Sequence, residues 1–325
     1  MNWWFLAIPI LAYVTNRIRI FLLQLPPRLE AEPPGLAVLL EAVERRHLSE
    51  EEREEFGRTG VVHIKGVIDD PALMAFLSAQ IGHLARPEDD EGMHHAWLFH
   101  GPLRALVRDQ LLSELAASAV GIDFKEQGKW AALEEAVVWF SLGQMLGGKA
   151  VDLYHADDRF HISAFRPYPL VSVWLALTDS VTPLEFVRGS HKALDHMNHG
   201  CGIEFGGVNN FIVYPQFCAD RYRDLLMNLT GVEPLFSANV TAGDAFVFHG
   251  LTLHRRLEQQ APRLAVTARY RFQDGERPES PSTHYLFPRH PAEVDAVPWF
   301  VIPPLGELSP QLPPESRGDL GKWSA

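Results

Sequence analysis

The feature that most constrains this chain lies in its second half, where short apolar runs recur between Gly, Pro and Asp punctuation. The runs are Val137-Val138-Trp139-Phe140-Ser141-Leu142, Leu170 to Leu177, Leu235 to Val240, Ala245 to His249 and Leu264 to Phe272. Their β-branched and aromatic content reads as strand, and several such runs in succession predict a sandwich or barrel. Helical signals precede them. Ala37 to Arg46 reads helical, and Ser49-Glu50-Glu51-Glu52 has capping-box spacing for a helix ending near Phe56. Val61 to Val67 alternates like a strand, Asp70-Pro71 starts a helix running to about Leu84, and a further helix covers about Leu103 to Ala117. The expected class is therefore mainly β with flanking helices.

A chain of 325 residues with 46% hydrophobic content can bury a full core. We read residues 1–34 as an apolar segment and proline linker, 35–278 as one catalytic domain, and 279–325 as a proline-rich tail. Within the domain, the stretch from Lys192 to Pro234 looks irregular and suggests a lid. A net charge of −12 without a Lys/Arg cluster argues against a nucleic-acid partner. Cys201 and Cys218 are too few for a disulfide framework and suit a reducing compartment. With His196 and His199 they form a zinc-compatible set, although ordinary lid residues are the better reading.

At the N-terminus, Trp3 to Val14 is an uninterrupted apolar run followed by Arg17 and Arg19. It falls short of the ~20 residues that span a bilayer as a helix, and its charges follow the apolar core where a secretory signal would place them before it. Trp3, Trp4 and Tyr13 suit an interface, so the segment predicts peripheral contact with the cytoplasmic face of a membrane through residues 1–25. A helix packed on the protein's own surface is the alternative.

Candidate chemistry begins at Tyr154-His155-Ala156-Asp157-Asp158. On an extended backbone, residues i and i+2 share a face, so His155 and Asp157 can grip one metal ion together, whereas Asp158 cannot join His155 that way. A third ligand is sought in Gly243 to His254, where His249 and His254 compete. Two histidines and one carboxylate on one side of a metal leave open positions opposite, the facial arrangement that suits non-haem Fe(II).

The order of motifs resembles the phytanoyl-CoA dioxygenase family of Fe(II)/2-oxoglutarate oxygenases. It runs from His155-x-Asp157 through Val171 to Asp179 and Leu184-Glu185-Phe186-Val187-Arg188-Gly189-Ser190-His191-Lys192, to Gly243-Asp244, His254 and Arg263. Phe56 to Gly66 is similar to that family's entry strand. The resemblance implies a double-stranded β-helix of jelly-roll, cupin-like type, with His155, Asp157 and His254 as metal ligands. It also implies Fe(II), 2-oxoglutarate and O2 as cofactor and cosubstrates. Arg263 would hold the distal carboxylate with its planar fork, Arg269 and Arg271 being its rivals, and Trp174 is expected in the core. Three departures stand out: Ala156 between the ligands, Arg256 two residues after His254, and a short interval to Arg263. Halogenating relatives replace the carboxylate, so Asp157 favours hydroxylation of a small or lipid-like molecule. A non-catalytic β-helix scaffold and a cupin-like metalloenzyme without 2-oxoglutarate are the competing classes.

Overall fold

A computed structural model describes residues 31–84, 93–94, 96–98, 100–123, 129–141, 153–158, 168–205, 211–257, 261–274 and 300–301. The helices α1 (Pro34–Ala42), α2 (Glu50–Thr59), α3 (Pro71–Gly82), α4 (Gly101–Arg108) and α5 (Gln110–Ala119) come first, around the strand β1 (Val61–Ile64). Their starts follow local chemistry. Ser49 and Glu52 exchange a reciprocal capping box at the head of α2, with Ser49 Oγ accepting at 3.2 Å and Glu52 Oε2 at 2.8 Å. Asp70 accepts the amides of Ala72 and Leu73, with Pro71 opening α3. The single helix expected over Leu103 to Ala117 is two, because Asp109 turns extended between them and its carboxylate accepts the Leu111 amide at 2.7 Å to cap α5.

The remaining strands are β2 (Met93–His94), β3 (Lys129–Ser141), β4 (Tyr154–His155), β5 (Val171–Ala176), β6 (Leu184–Val187), β7 (Ile203–Phe205), β8 (Phe211–Tyr214), β9 (Leu235–Phe236), β10 (Ala245–His249), β11 (His254–Arg256), β12 (Arg263–Asp274) and β13 (Phe300–Val301). They form two antiparallel, unclosed sheets. The larger has the order β1-β10-β5-β12-β3-β13, with β2 also on β3, and the smaller has the order β7-β8-β4-β11-β6-β9. The chain alternates between them. β4, β6 and β11 lie in the smaller sheet, and β5, β10 and β12 in the larger, which is the winding of a double-stranded β-helix.

Three apolar clusters explain why the strands read as continuous runs. Val171, Val173 and Leu175 pack outward with Val247, Val266 and the helical Leu111, Leu112 and Leu115. Trp174 and Ala176, on the other face of β5, meet Phe246, Phe248, Leu184 and Phe186 between the sheets. Both faces of the larger sheet are therefore covered, so alternation is lost from its central strands. The third cluster lies outside the smaller sheet, where Tyr154 and Val187 pack on helix α6 (Ser190–Cys201) and on Cys218 and Leu226 of α7 (Phe217–Arg221) and α8 (Arg223–Thr230).

The stretch from Lys192 to Pro234 is not the irregular insertion its sequence suggests. It holds most of α6, the β7–β8 hairpin, α7 and α8, and β8 pairs with β4 at Tyr154↔Tyr214 and His155↔Val213. Sparse, mixed periodicity hid short elements that depend on docking to the smaller sheet. Cys201 and Cys218 form a disulfide between α6 and α7, with Cα atoms 5.8 Å apart. That pairing withdraws both thiols from the zinc-compatible set. The run Leu235 to Val240 is strand only over β9, with a further single bridge from Val240 to Ser180. Residues 1–25 lie outside the described residues, as does the tail apart from 300–301. Among the described residues, no helix is long and apolar enough to cross a membrane.

Gly60 joins α2 to β1 in the left-handed conformation, at φ 83°. A Cβ there would meet Thr252 Oγ1 at 2.4 Å and His191 Nδ1 at 2.5 Å, so only glycine fits. Its carbonyl accepts the His249 amide and the Thr252 hydroxyl, which fixes the turn leading into β11. Around that turn, His191 and His249 are half-buried with ring centroids 5.1 Å apart. Burial holds the first at a pKa of about 3, with His249 adding to the effect, and holds the second at about 4. Both therefore stay neutral in the folded chain while the unfolded chain takes up protons below its ordinary histidine value. Stability is complete above about pH 6.5 and should fall toward pH 4 by roughly 1.4 kcal/mol per pH unit for each histidine. Urea denaturation across this window should show a shallower decline for His191→Gln than for the parent. Equal slopes would mean that His191 takes its proton without opening the structure.

Candidate functional site

Between the sheets, β4 and β11 are neighbours in which His155 and His254 are directly paired. Their rings lie 4.4 Å apart by centroid. Asp157 follows β4 by two residues, in a bend rather than on the strand itself. The bend is fixed from the next residue, since the Asp158 amide donates to the Gly250 carbonyl at 2.9 Å and the Gly250 amide donates to the Leu170 carbonyl at 2.7 Å. Thus the i, i+2 spacing brings His155 and Asp157 together, but a tertiary anchor completes what strand geometry begins. Ligand atoms of His155, Asp157 and His254 all lie within 4.8 Å of one another, the one such group of His, Cys, Asp or Glu among the described residues.

The rivals are placed elsewhere. The Asp158 carboxylate lies 3.8 Å from the guanidinium of Arg271, both fully buried. His249 stacks against His191 and Phe56, and its Nδ1 accepts the Leu251 amide at 3.0 Å. Arg269 is not the solvated strand residue that its sequence context allows. It is buried, and its Nη2 donates to Asp157 Oδ1 at 2.6 Å. On the other oxygen, Ser172 Oγ donates to Asp157 Oδ2 at 2.6 Å. Ser172 and Arg269 are register partners across β5 and β12, so one rung of the larger sheet holds the carboxylate from both sides.

Electrostatics follow from that cradle. Burial opposes ionisation of Asp157, but the charge and the hydrogen bond of the Arg269 guanidinium outweigh it and hold the carboxyl far below the usual range. Burial lowers the pKa of His254 despite Asp157, so this imidazole is neutral. Its Nδ1 lies 3.1 Å from the Thr252 carbonyl, a contact that makes Nδ1–H the donor and leaves Nε2 with a free lone pair, 3.6 Å from Asp157 Oδ1. The outcome is an anionic oxygen donor beside a neutral nitrogen donor.

The cluster lines a pocket with Trp139, Trp174, Leu184, Phe248, Arg256, Arg263, Thr267 and Arg269. Arg263, Thr267 and Arg269 stand at even spacing along β12 and so share its inward face. This alternation was the signal that could have drawn Arg269 into the site from sequence. Trp174 serves both readings, packing on Phe246 at 5.8 Å between centroids while reaching the pocket wall. Among the described residues, nothing that lines the pocket comes from 192–234. Arg263 is 2% exposed, its Nη1 donates to the Pro183 carbonyl at 2.8 Å, and its Nε has no partner.

The family described as phytanoyl-CoA dioxygenase matches residues 56–256, which include the triad and stop short of Arg263. No curated protein matches the sequence. Among solved structures, the chain is similar to the non-heme alpha ketoglutarate dependent carbocyclase SnoK from nogalamycin biosynthesis, at 20% identity over 69% of this chain and 83% of that one, with a TM-score of 0.47. It is similar to EctD from S. alaskensis, solved with 2-oxoglutarate and 5-hydroxyectoine, at 14% identity over 76% and 82%, TM-score 0.46. HygX from Streptomyces hygroscopicus, solved with nickel and 2-oxoglutarate, aligns at 17% identity over 69% and 86%, TM-score 0.45.

The cradle makes a stability prediction that needs no metal. Removing one member of a buried ion pair strands the other charge, at a cost of about 3 to 5 kcal/mol. Arg269→Met and Asp157→Leu should each destabilise the metal-free protein on that scale, and the double variant should lose less than the two added together. A denaturant double-mutant cycle checks this. Strict additivity would mean that the pair is not coupled.

Proposed function

The chain belongs to the phytanoyl-CoA dioxygenase family, and we propose that it is an Fe(II)- and 2-oxoglutarate-dependent dioxygenase that hydroxylates a small organic substrate. One observation carries the reading. An ionised carboxylate and two imidazoles converge on one point at the wall of a pocket that also holds a buried, incompletely bonded arginine. The donor set fits a ferrous ion. It offers two nitrogens and one oxygen from one side, and the carboxylate is already deprotonated. When bound, the iron with 2-oxoglutarate and O2 supplies the oxidising chemistry, releasing succinate and CO2.

The chain's own residues then have separable tasks. His155, Asp157 and His254 would hold the ion, with Thr252 fixing the His254 tautomer and Ser172 and Arg269 fixing the Asp157 rotamer. Arg263 would bind the distal carboxylate of 2-oxoglutarate. Its open Nε and low exposure suit an anion that arrives with its own charge, since a buried guanidinium bonded to one carbonyl is under-satisfied. Trp139, Trp174, Leu184 and Phe248 supply apolar walls that exclude water and accommodate a C–H bond. A non-catalytic scaffold has no use for a pre-ionised donor set beside such an arginine.

His155→Ala and His254→Ala should each lose tight Fe(II) binding and lower succinate formation by at least about a hundredfold, the scale on which ligand removal acts. Circular dichroism should stay unchanged, because apolar clusters hold the sheets. Succinate released from 2-oxoglutarate, screened with Fe(II) against lipid, amino-acid and natural-product libraries, reads out activity and substrate together. Full succinate production by both variants would remove the triad from the mechanism.

A further inference from the structure

Behind the two histidines, the outer face of the smaller sheet carries a polar rung. His254 on β11 pairs with His155 on β4 and with Phe186 on β6, and the neighbouring register pair is Arg255 with Glu185. Antiparallel geometry sets Tyr154 opposite Arg255 on the remaining side. Strand alternation turns His155 and His254 toward the pocket and sends Tyr154, Arg255 and Glu185 to the other face. There the three side chains meet on one atom. Glu185 Oε1 accepts the Tyr154 hydroxyl at 2.5 Å and Arg255 Nε at 2.8 Å, and Arg255 Nη2 lies 2.6 Å from it. The guanidinium also lies over the Tyr154 ring, 4.7 Å from its centroid. Tyr154 is fully buried, and the side chains of Arg255 and Glu185 are only 10% and 16% exposed, so water competes weakly for these charge-assisted bonds.

Backbone pairing gives the histidines little support of their own. β4 is two residues long and β11 three, and among the described residues His155 with His254 is the one register pair that joins them. Strands joined at one rung can splay by fractions of an ångström, which is the tolerance within which a metal ion reads its donors. We propose that Glu185 is a positioning residue for the donor set. By gathering Tyr154 and Arg255 onto one oxygen it ties β4, β11 and β6 together behind the histidines and fixes the spacing of their imidazoles. The inference rests on the reading of the triad as a metal site. An apolar rung would pack as well, but it lacks the directional bonds that select one spacing. Gln216, just ahead of α7, extends the clamp outward, its Oε1 lying 3.4 Å from Arg255 Nη1. The larger sheet holds Asp157 by the rung of Ser172 and Arg269, and the smaller sheet holds the histidines by this one.

The test is calorimetric titration of Co(II) into the full-length, metal-free protein, with the visible absorption band of the bound ion recorded alongside. Glu185→Ala should weaken Co(II) binding by about threefold to tenfold, less than the roughly tenfold to hundredfold carried by groups bonded directly to the ligands, and should shift the band. Glu185→Gln, which keeps an acceptor oxygen at the same reach, should fall between Glu185→Ala and the parent, as should Tyr154→Phe. Arg45→Gln, which breaks the pair with Asp109 in the helical layer, serves as the control for general loosening and should leave affinity and band unchanged. Parent-like affinity and band in Glu185→Ala would overturn the proposal and leave the proposed function standing, and so would an equal loss in Arg45→Gln. If Glu185→Ala does not fold, Tyr154→Phe decides, and parent-like Co(II) binding and band in that variant overturn the proposal. If the parent protein binds no Co(II) at all, the proposed function itself fails.

Discussion

The interaction on which this structure depends is the pair of hydrogen bonds that Ser172 and Arg269 make to Asp157. A carboxylate sealed between two sheets carries a desolvation cost that only charge and full hydrogen bonding can offset. Here the compensation comes from one rung of the larger sheet, since Ser172 and Arg269 are directly paired on β5 and β12. A slip of one residue in that register would turn both side chains away from the site and into the helical layer. Strand register, carboxylate ionisation and donor geometry are thus a single constraint.

What enforces the register is burial on both sides of the larger sheet. Val171, Val173 and Leu175 face the helices, while Ser172, Trp174 and Ala176 face the interior. The helix-facing set is uniformly apolar and cannot be exchanged for the set that carries Ser172. On β12 the same division sends Leu264, Val266 and Ala268 outward and Arg263, Thr267 and Arg269 inward. The helical layer therefore acts on the chemistry at a distance, by fixing which face of each strand sees the pocket.

The smaller sheet contributes the histidines under looser local control. β4 and β11 are only two and three residues long. Their positions come from neighbours: β8 on one side of β4, β6 on the far side of β11, and the turn held by the Gly60 carbonyl.

By itself the sequence determined the β-rich class, the capped helix starts after Ser49 and Asp70 and the pairing of His155 with Asp157, because capping and i, i+2 alternation are local rules that need only a few consecutive residues. Family resemblance pointed to His254 and Arg263, which the tertiary structure brings to the same pocket as His155 and Asp157. Other features were out of reach. The break at Asp109, the short elements between Lys192 and Pro234 and the disulfide between Cys201 and Cys218 rest on docking partners distant in the chain. Arg269 was legible as a strand residue but not as the partner of Asp157, 112 positions away, and the same holds for Arg256 on Trp139. Only the tertiary structure decided these, because the free energy of a buried charge depends on what surrounds it across the sheets, and no local pattern carries that information.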